Sequence, residues 1–341
     1  MAAMIIFWGG KLVIMHYLYD EERVVWQTKT KIINDYKSDY PDELVLGTSM
    51  ALAINPPVIE SLSGKRVMNL SAGSAQMAYH YYALKRILSQ RKDIKKVYLT
   101  TARLNEDDIC YTPGGSFGER MLRWFTTAQE AKEMETLIPG TIEMYKDTRF
   151  MGSKYFYRDI NLLRDFHLRD YFKESAHHIM ARTLRANKGY FLFGPYGTEV
   201  EDSVPYYSFE NILTNEGFPF DTNTRWSIHG ETNDIGRFYA SKIVALLEAH
   251  GIDYEFFFGP IPQARATNEA PRLAMDGLEI MLSEFSKDKV NDKILVLPDA
   301  FFWDTYHVNT FGSKVFNEYF VDYIINDQDP EGTYETVDFA W

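Results

Sequence analysis

Cysteine is all but missing: Cys110 is the only one in 341 residues, which excludes an intrachain disulfide and any cysteine-built metal site. Basic charge is short as well. Lysine and arginine number 36 against 48 aspartates and glutamates, giving a formal net charge of −12 and a sequence pI near 5.2. The field of such a chain repels phosphates, which argues against non-specific binding to nucleic acid or to an anionic membrane face. The local basic group Lys92, Lys95 and Lys96 reads as a solvated helix end. Repeats and low-complexity tracts are absent. So is a clean hydrophobic run of spanning length, because the apolar and aromatic stretch Ala2 to Tyr19 is interrupted by Gly9-Gly10, Lys11 and His16. A crossing helix needs roughly 20 apolar residues, and a central lysine costs about 2.5 to 3.5 kcal/mol on insertion scales. No positively charged stretch precedes this run and no small-residue cleavage site clearly follows, which speaks against a removable signal peptide. Two readings stand for it: a signal anchor or its remnant, and a helix packed on the protein.

What the chain does have is enough apolar content, 45% of residues, to bury a substantial core. Five short segments rich in β-branched or aromatic residues predict buried strands: Leu44 to Leu46, Arg66 to Leu70, Lys96 to Thr100, Tyr254 to Phe258 and Ile294 to Leu297. Between and after them, apolar residues recurring at three and four predict helices over Gln76 to Gln90, Asp234 to His250, Glu269 to Phe285 and Thr310 to Ile325. Alternation of this kind implies the α/β class, a doubly wound parallel sheet with both faces covered. In such sheets ligands collect at the carboxyl ends of the strands, and Ser49 and Gly73 directly follow strands there.

Residues 106–230 break the rhythm. Glycine-rich turns at Gly114-Gly115 and Gly118, helical stretches near Thr127 to Leu137 and Ser175 to Asn187, and many aromatics read as one large insertion after the third strand. It is expected either to form a lid or cleft over the carboxyl edge or to be a subdomain with its own small core. The organisation is then an N-terminal apolar segment and linker over 1–42, a candidate membrane anchor, followed by one α/β domain over 43–341. The acidic tail from Asp327 to Asp338 is expected to be solvated.

Two short motifs carry chemistry. The first predicted strand runs into Gly47-Thr48-Ser49, and near the end stands Asp304-Thr305-Tyr306-His307-Val308-Asn309. A serine nucleophile needs an imidazole to take its proton, and that imidazole needs a carboxylate to fix its tautomer. Ser49, His307 and Asp304 supply these three types. Alone, a Gly-x-Ser after a strand is a turn, and Asp-x-x-His is a capping arrangement ahead of a helix; jointly, at two edges of one sheet, they point to serine acyl transfer. Other residues have simpler readings. His167 and His177-His178 sit in polar helical context, with adjacent histidines on different faces, so no metal site is expected. Glu231 and Asp234 follow His229-Gly230 at a helix start, where carboxylates meet the helix dipole. Gly259-Pro260-Ile261-Pro262 reads as a rigid turn lining the cleft, and Arg265 beyond it as a surface ion pair or a contact for an anionic substrate.

In these motifs the chain resembles the SGNH (GDSL-like) hydrolase and acyltransferase superfamily. Leu46-Gly47-Thr48-Ser49 is similar to its first block, with Thr48 where the family usually has aspartate. Asn69-Leu70-Ser71-Ala72-Gly73 is similar to its second, and Asp304-x-x-His307 with Asn309 and Gly312 to its fifth. The third block departs: a Gly-x-Asn-Asp turn is replaced by Thr100-Thr101-Ala102-Arg103-Leu104-Asn105. The resemblance implies a flavodoxin-like three-layer α/β/α fold, no cofactor, a Ser49/His307/Asp304 triad, and oxyanion donors from the Ser49 and Gly73 N–H groups. Asn105 is the side-chain candidate for that hole, with Thr100 or Thr101 as substitutes. It covers roughly residues 43 to 105 and 230 to 325. The branch it is closest to, the proteins of alginate acetylation and teichoic-acid D-alanylation, implies O-acylation or deacylation of a cell-envelope polysaccharide, with a carbohydrate polymer or acyl ester as substrate. It also implies a membrane-bound O-acyltransferase as partner and an anchored, extracytoplasmic location. A small-ester esterase and a non-catalytic polymer-binding protein are the alternatives.

Overall fold

The computed structural model describes residues 21–73, 75–100, 120–150, 182, 184–188, 233–266, 282–302, 307–328 and 332–338. Its centre is a four-stranded parallel sheet of β1 (Glu43–Leu46), β2 (Val67–Asn69), β3 (Lys96–Leu99) and β4 (Asp253–Phe256), in the order β2-β1-β3-β4. Burial on both faces explains the mostly apolar character of β1, β2 and β3, whereas β4, Asp-Tyr-Glu-Phe, alternates more exposed with buried positions. Alternate residues serve opposite sides: Leu44, Leu46, Met68, Val97 and Leu99 join one apolar cluster, while Val45, Val67 and Tyr98 join another.

The first cluster is closed by α1 (Glu21–Asn34), α3 (Met77–Gln90) and α6 (Asn233–Ala249), which contribute Trp26, Ile33, Tyr79, Ile87, Tyr239 and Ile243. The second is closed by α2 (Pro56–Ser63) and by α7 (Thr310–Tyr319) with its π-helical continuation Phe320–Ile325, through Ile59, Phe316, Phe320 and Ile324. Each such fully buried side chain stabilises the fold by about 1.5 to 3 kcal/mol relative to exposure. Within the expected insertion, α4 (Ala128–Glu135) and α5 (Thr141–Phe150) are described, and Phe125, Met134, Ile138 and Met144 feed the first cluster. The guanidinium of Arg86 on α3 also pairs with Glu130 on α4. This part of the insertion therefore shares the main core. Residues 106–119 and most of 151–230 lie outside the described residues.

Four features depart from the sequence reading. Residues 21–34, expected as part of a linker, form α1, with Val24, Val25, Trp26 and Ile33 at 0 to 1% exposure. The fifth predicted strand, β6 (Lys293–Leu297), is not in the four-stranded sheet. It pairs in parallel with β5 (Ile261–Pro262) and antiparallel with β7 (Thr336–Asp338), while the segment just before it meets β4 through a bridge between Phe256 and Val290 and a bond from Asn291 N to the Phe256 carbonyl at 2.8 Å. Pro260 and Pro262 have no N–H to extend a ladder beyond β4, which breaks the sheet there. The acidic tail also holds a strand that was not expected, β7 on the edge of β6, while Asp327, Glu335 and Asp338 stay exposed as expected, with Asp338 pairing with Lys293 at 2.6 Å. Lastly, in the basic group Lys96 is partly buried on β3 and pairs with Glu255 at 2.9 Å, whereas Lys92 and Lys95 stay exposed just past α3 as expected, Lys95 standing 2.5 Å from Asp42. Among the described residues no helix is long and apolar enough to cross a membrane; Ala2 to Tyr19 lies outside them.

Candidate active site at the carboxyl edge of the sheet

β1 leads straight into Gly47, and the approach there leaves no room for a side chain. A Cβ on Gly47 would stand 2.5 Å from Thr100 Cγ2 and 2.6 Å from Ala51 Cβ, so the three strand ends close on a bare backbone. Thr48 is fully buried, and Ser49, partly exposed, heads the 3₁₀ turn Met50–Ala53. Bonds from Ala51 N to the Thr48 carbonyl and from Leu52 N to the Ser49 carbonyl, both 3.2 Å, form that turn. Asn69 at the end of β2 braces it: Nδ2 donates to the carbonyls of Ala51 at 2.7 Å and Ile54 at 2.8 Å, while Oδ1 accepts from Ser71 N at 3.0 Å.

Asn69 thereby ties the Ser49 turn to the Ser71–Gly73 loop. In that loop Ala72 N donates to the Gly47 carbonyl at 3.1 Å, and the Ala72 carbonyl accepts from Ala75 N at 3.0 Å. The Ser71 carbonyl accepts from Lys29 Nζ, and the Gly73 carbonyl accepts from Trp26 Nε1 at 3.2 Å. Every main-chain polar group of Ser71, Ala72 and Gly73 is thus paired except the Gly73 N–H, which meets no acceptor among the described residues. Buried amides are nearly always paired, which makes this spare N–H a candidate donor for a ligand oxygen. The Ser49 N–H is unpaired in the same way.

On the other side, His307 is half-buried and opens the segment into α7. An antiparallel bridge joins Phe302 to Val308, and Asn309 N donates to the Phe301 carbonyl at 2.9 Å. Asn309 caps α7, its Oδ1 accepting from Phe311 N at 3.0 Å and Gly312 N at 3.1 Å, while Nδ2 reaches the Ala300 carbonyl at 2.7 Å. From α7, Ser313 Oγ and Asn317 Nδ2 both donate to the Ala53 carbonyl, at 2.9 and 3.0 Å. The helix that follows His307 is therefore fastened to the turn that follows Ser49. No hydrogen bond joins the Ser49 hydroxyl to a described side chain. Asp304 and Asn105 lie outside the described residues, as do Thr101, Cys110, His167, His177, His178 and Glu231. Of the substitutes for the side-chain donor, Thr100 turns its methyl onto Gly47 and keeps a buried hydroxyl with no described partner.

Polar groups lie deep beneath these segments. His80 on α3 is fully buried; its ring faces the Thr100 main chain, yet neither nitrogen reaches hydrogen-bonding geometry with a described residue. Burial pushes its pKa down to about 3, so the ring is neutral at physiological pH. Thr48 and Ser71 also keep buried hydroxyls without described partners. Lys29, 1% exposed, has its amine held well below the usual lysine range by burial. The roles of Trp26, Lys29, Asn69 and His80 were not anticipated from sequence. Asn69 alone had a signal, its place at the head of the second motif.

Among the described residues no group of three or more histidines, cysteines or carboxylates is arranged to hold a metal ion. Arg265 lies on the short helical turn Gln263–Ala266 that follows β5. No protein-family model matches the chain, and no curated protein matches its sequence.

Proposed function

We propose that this chain is a serine-dependent acyl-transfer enzyme of the SGNH type, with a flavodoxin-like arrangement of its sheet. The strand order β2-β1-β3-β4, with the nucleophile after β1 and an oxyanion loop after β2, supports that reading. The observation that carries it is the pair of unused amides at Ser49 and Gly73, on segments tied together by the bond from Ala72 N to the Gly47 carbonyl.

In this mechanism His307 takes the proton of the Ser49 hydroxyl, and the serine oxygen forms a bond to the ester carbonyl carbon. The Ser49 and Gly73 N–H groups receive the oxyanion, an interaction of about 2.7 to 4 kcal/mol per donor. As the ester C–O bond breaks, the imidazolium passes its proton to the departing alcohol, leaving an acyl group on Ser49. Water or a sugar hydroxyl, deprotonated by the same imidazole, then removes the acyl group. Asp304 orients His307 throughout. The unformed bond from Ser49 is compatible with this scheme, since catalytic hydrogen bonds are often long in a free enzyme and tighten with substrate.

The substrate class is O-acylation or deacylation of a cell-envelope polysaccharide, with a membrane-bound O-acyltransferase as partner and residues 1–19 as anchor; the motif resemblance supports it. The test is a fluorophosphonate probe, which phosphonylates activated serines. Adduct formation mapped to Ser49 in the wild type, and lost in Ser49→Ala and His307→Ala, is the expected result. Well-folded protein that stays unlabelled would favour a non-catalytic polymer-binding role, the reading that the unbonded Ser49 hydroxyl supports. Mass spectrometry of a polysaccharide incubated with an acyl donor separates transfer from hydrolysis: only free acid with every acceptor identifies an esterase.

A further inference from the structure

α1 is unusual in what it buries. Trp26 and Lys29 stand one turn apart, at 1% exposure each, and both end in a hydrogen bond to the loop that carries Gly73. Lys29 has no carboxylate against it among the described residues. Burying an amine costs free energy that a methionine or leucine at the same place would not incur. Its bond to the Ser71 carbonyl is the compensating contact. The geometry of that bond matters because a trans peptide points its carbonyl and the following N–H in opposite directions. Drawing the Ser71 carbonyl toward α1 turns the Ala72 N–H onto the Gly47 carbonyl. Drawing the Gly73 carbonyl toward Trp26 fixes the peptide that follows Gly73, so the peptide that carries the Gly73 N–H is held from both sides, its own Ala72 carbonyl accepting from Ala75 N.

We propose that Lys29 and Trp26 are positioning residues for the oxyanion donor, holding the Ser71–Gly73 loop from behind so that the Gly73 N–H is presented to the reacting carbonyl oxygen. This rests on Ser49 as nucleophile. Neither side chain touches substrate; both act through the loop. Loss of either clamp frees the loop to rotate its peptides, which weakens transition-state stabilisation while leaving His307 as base unchanged.

The experiment measures the second-order rate of fluorophosphonate labelling at Ser49 across pH, in the full chain, for wild type, Lys29→Met, Lys29→Gln and Trp26→Phe. Lys29→Met is expected to label about ten-fold or more slowly, a fraction of the effect of deleting a donor outright, with the pH midpoint unmoved. Lys29→Gln, whose amide can still donate to the Ser71 carbonyl, recovers part of the rate. Trp26→Phe keeps an aromatic ring while removing the donor and part of the buried indole, so it reports the loss of a clamp if Lys29→Met fails to fold. Variants that label at the wild-type rate overturn the proposal and leave the nucleophile standing. A slower rate with a displaced pH midpoint and no recovery by glutamine overturns it too, as general loosening. Wild type that stays unlabelled overturns the nucleophile and this role together.

Discussion

Asn317 on the last helix accepts a hydrogen bond at its Oδ1 from the main-chain N–H of Asn55 at 2.6 Å, across 262 positions of sequence. Its Nδ2 also donates to the carbonyls of Ala53 at 3.0 Å and Ser313 at 2.6 Å. One buried amide side chain thus couples the Ser49 turn to the helix that His307 introduces. Asn317→Ala strands the Asn55 N–H and leaves the Ala53 carbonyl with only Ser313. At about 1 to 3 kcal/mol for a buried group left unpaired, the expected loss of stability is about 2 to 3 kcal/mol, read from the urea midpoint at unchanged slope.

Gly47→Ala places a methyl within 2.6 Å of both Thr100 Cγ2 and Ala51 Cβ. Neither neighbour is the end of a flexible chain. The strand ends must spread, at about 1 to 3 kcal/mol for overpacking, and the Ser49 turn moves with them. The variant is expected to melt earlier and to label with fluorophosphonate more slowly. Equal labelling in a folded Gly47→Ala protein would separate the turn from the chemistry.

His80 sets a pH dependence of stability. In the fold its pKa is pushed down to about 3 by burial, whereas in the unfolded chain a histidine titrates near about 6.5. Between these values the unfolded state holds a proton that the folded state does not. Stability therefore rises with pH through that window and is level above about 6.5. At pH 5 the contribution lost is about 2 kcal/mol. Urea unfolding of wild type and His80→Phe at pH 7.5 and 5 is expected to show a smaller acid loss in the variant.

Asn309→Ala removes the cap of α7 and frees three main-chain groups that the side chain now engages. N-cap loss costs about 0.5 to 2 kcal/mol. Because Asn309 stands two residues beyond His307, labelling is expected to slow in this variant, whereas capping mutations at Thr127, the cap of α4, lower stability without changing the rate.

Strand positions were legible to within one or two residues, since buried parallel strands are runs of Val, Leu and aromatics bounded by polar turns. Lys96–Leu99 and Lys293–Leu297 are examples. The helix after His307 was equally plain from its aromatic stripe. α1 was not, because Thr28 and Lys29 occupy its buried face and interrupt the apolar period. β7 was hidden by the charges of Glu335, just before it, and of Asp338, its last residue; the strand is held by edge pairing and by Tyr334 against Tyr319. At the candidate site, Ser49 and Gly73 were legible as strand-end residues. The clamp by Lys29 and Trp26 was not, since it joins side chains to carbonyls some 42 and 47 positions away and leaves no local pattern.

The central claim is that Ser49, Gly73 and His307 serve one reacting centre, and a crystal structure of the fluorophosphonate-treated protein tests it most directly. The account predicts phosphorus bonded to Ser49 Oγ, its phosphoryl oxygen about 2.7 to 3.1 Å from the Ser49 and Gly73 N–H nitrogens, and the His307 imidazole within hydrogen-bond reach of the adduct. An adduct on another residue, or a phosphoryl oxygen turned away from Gly73 with His307 out of reach, would contradict it.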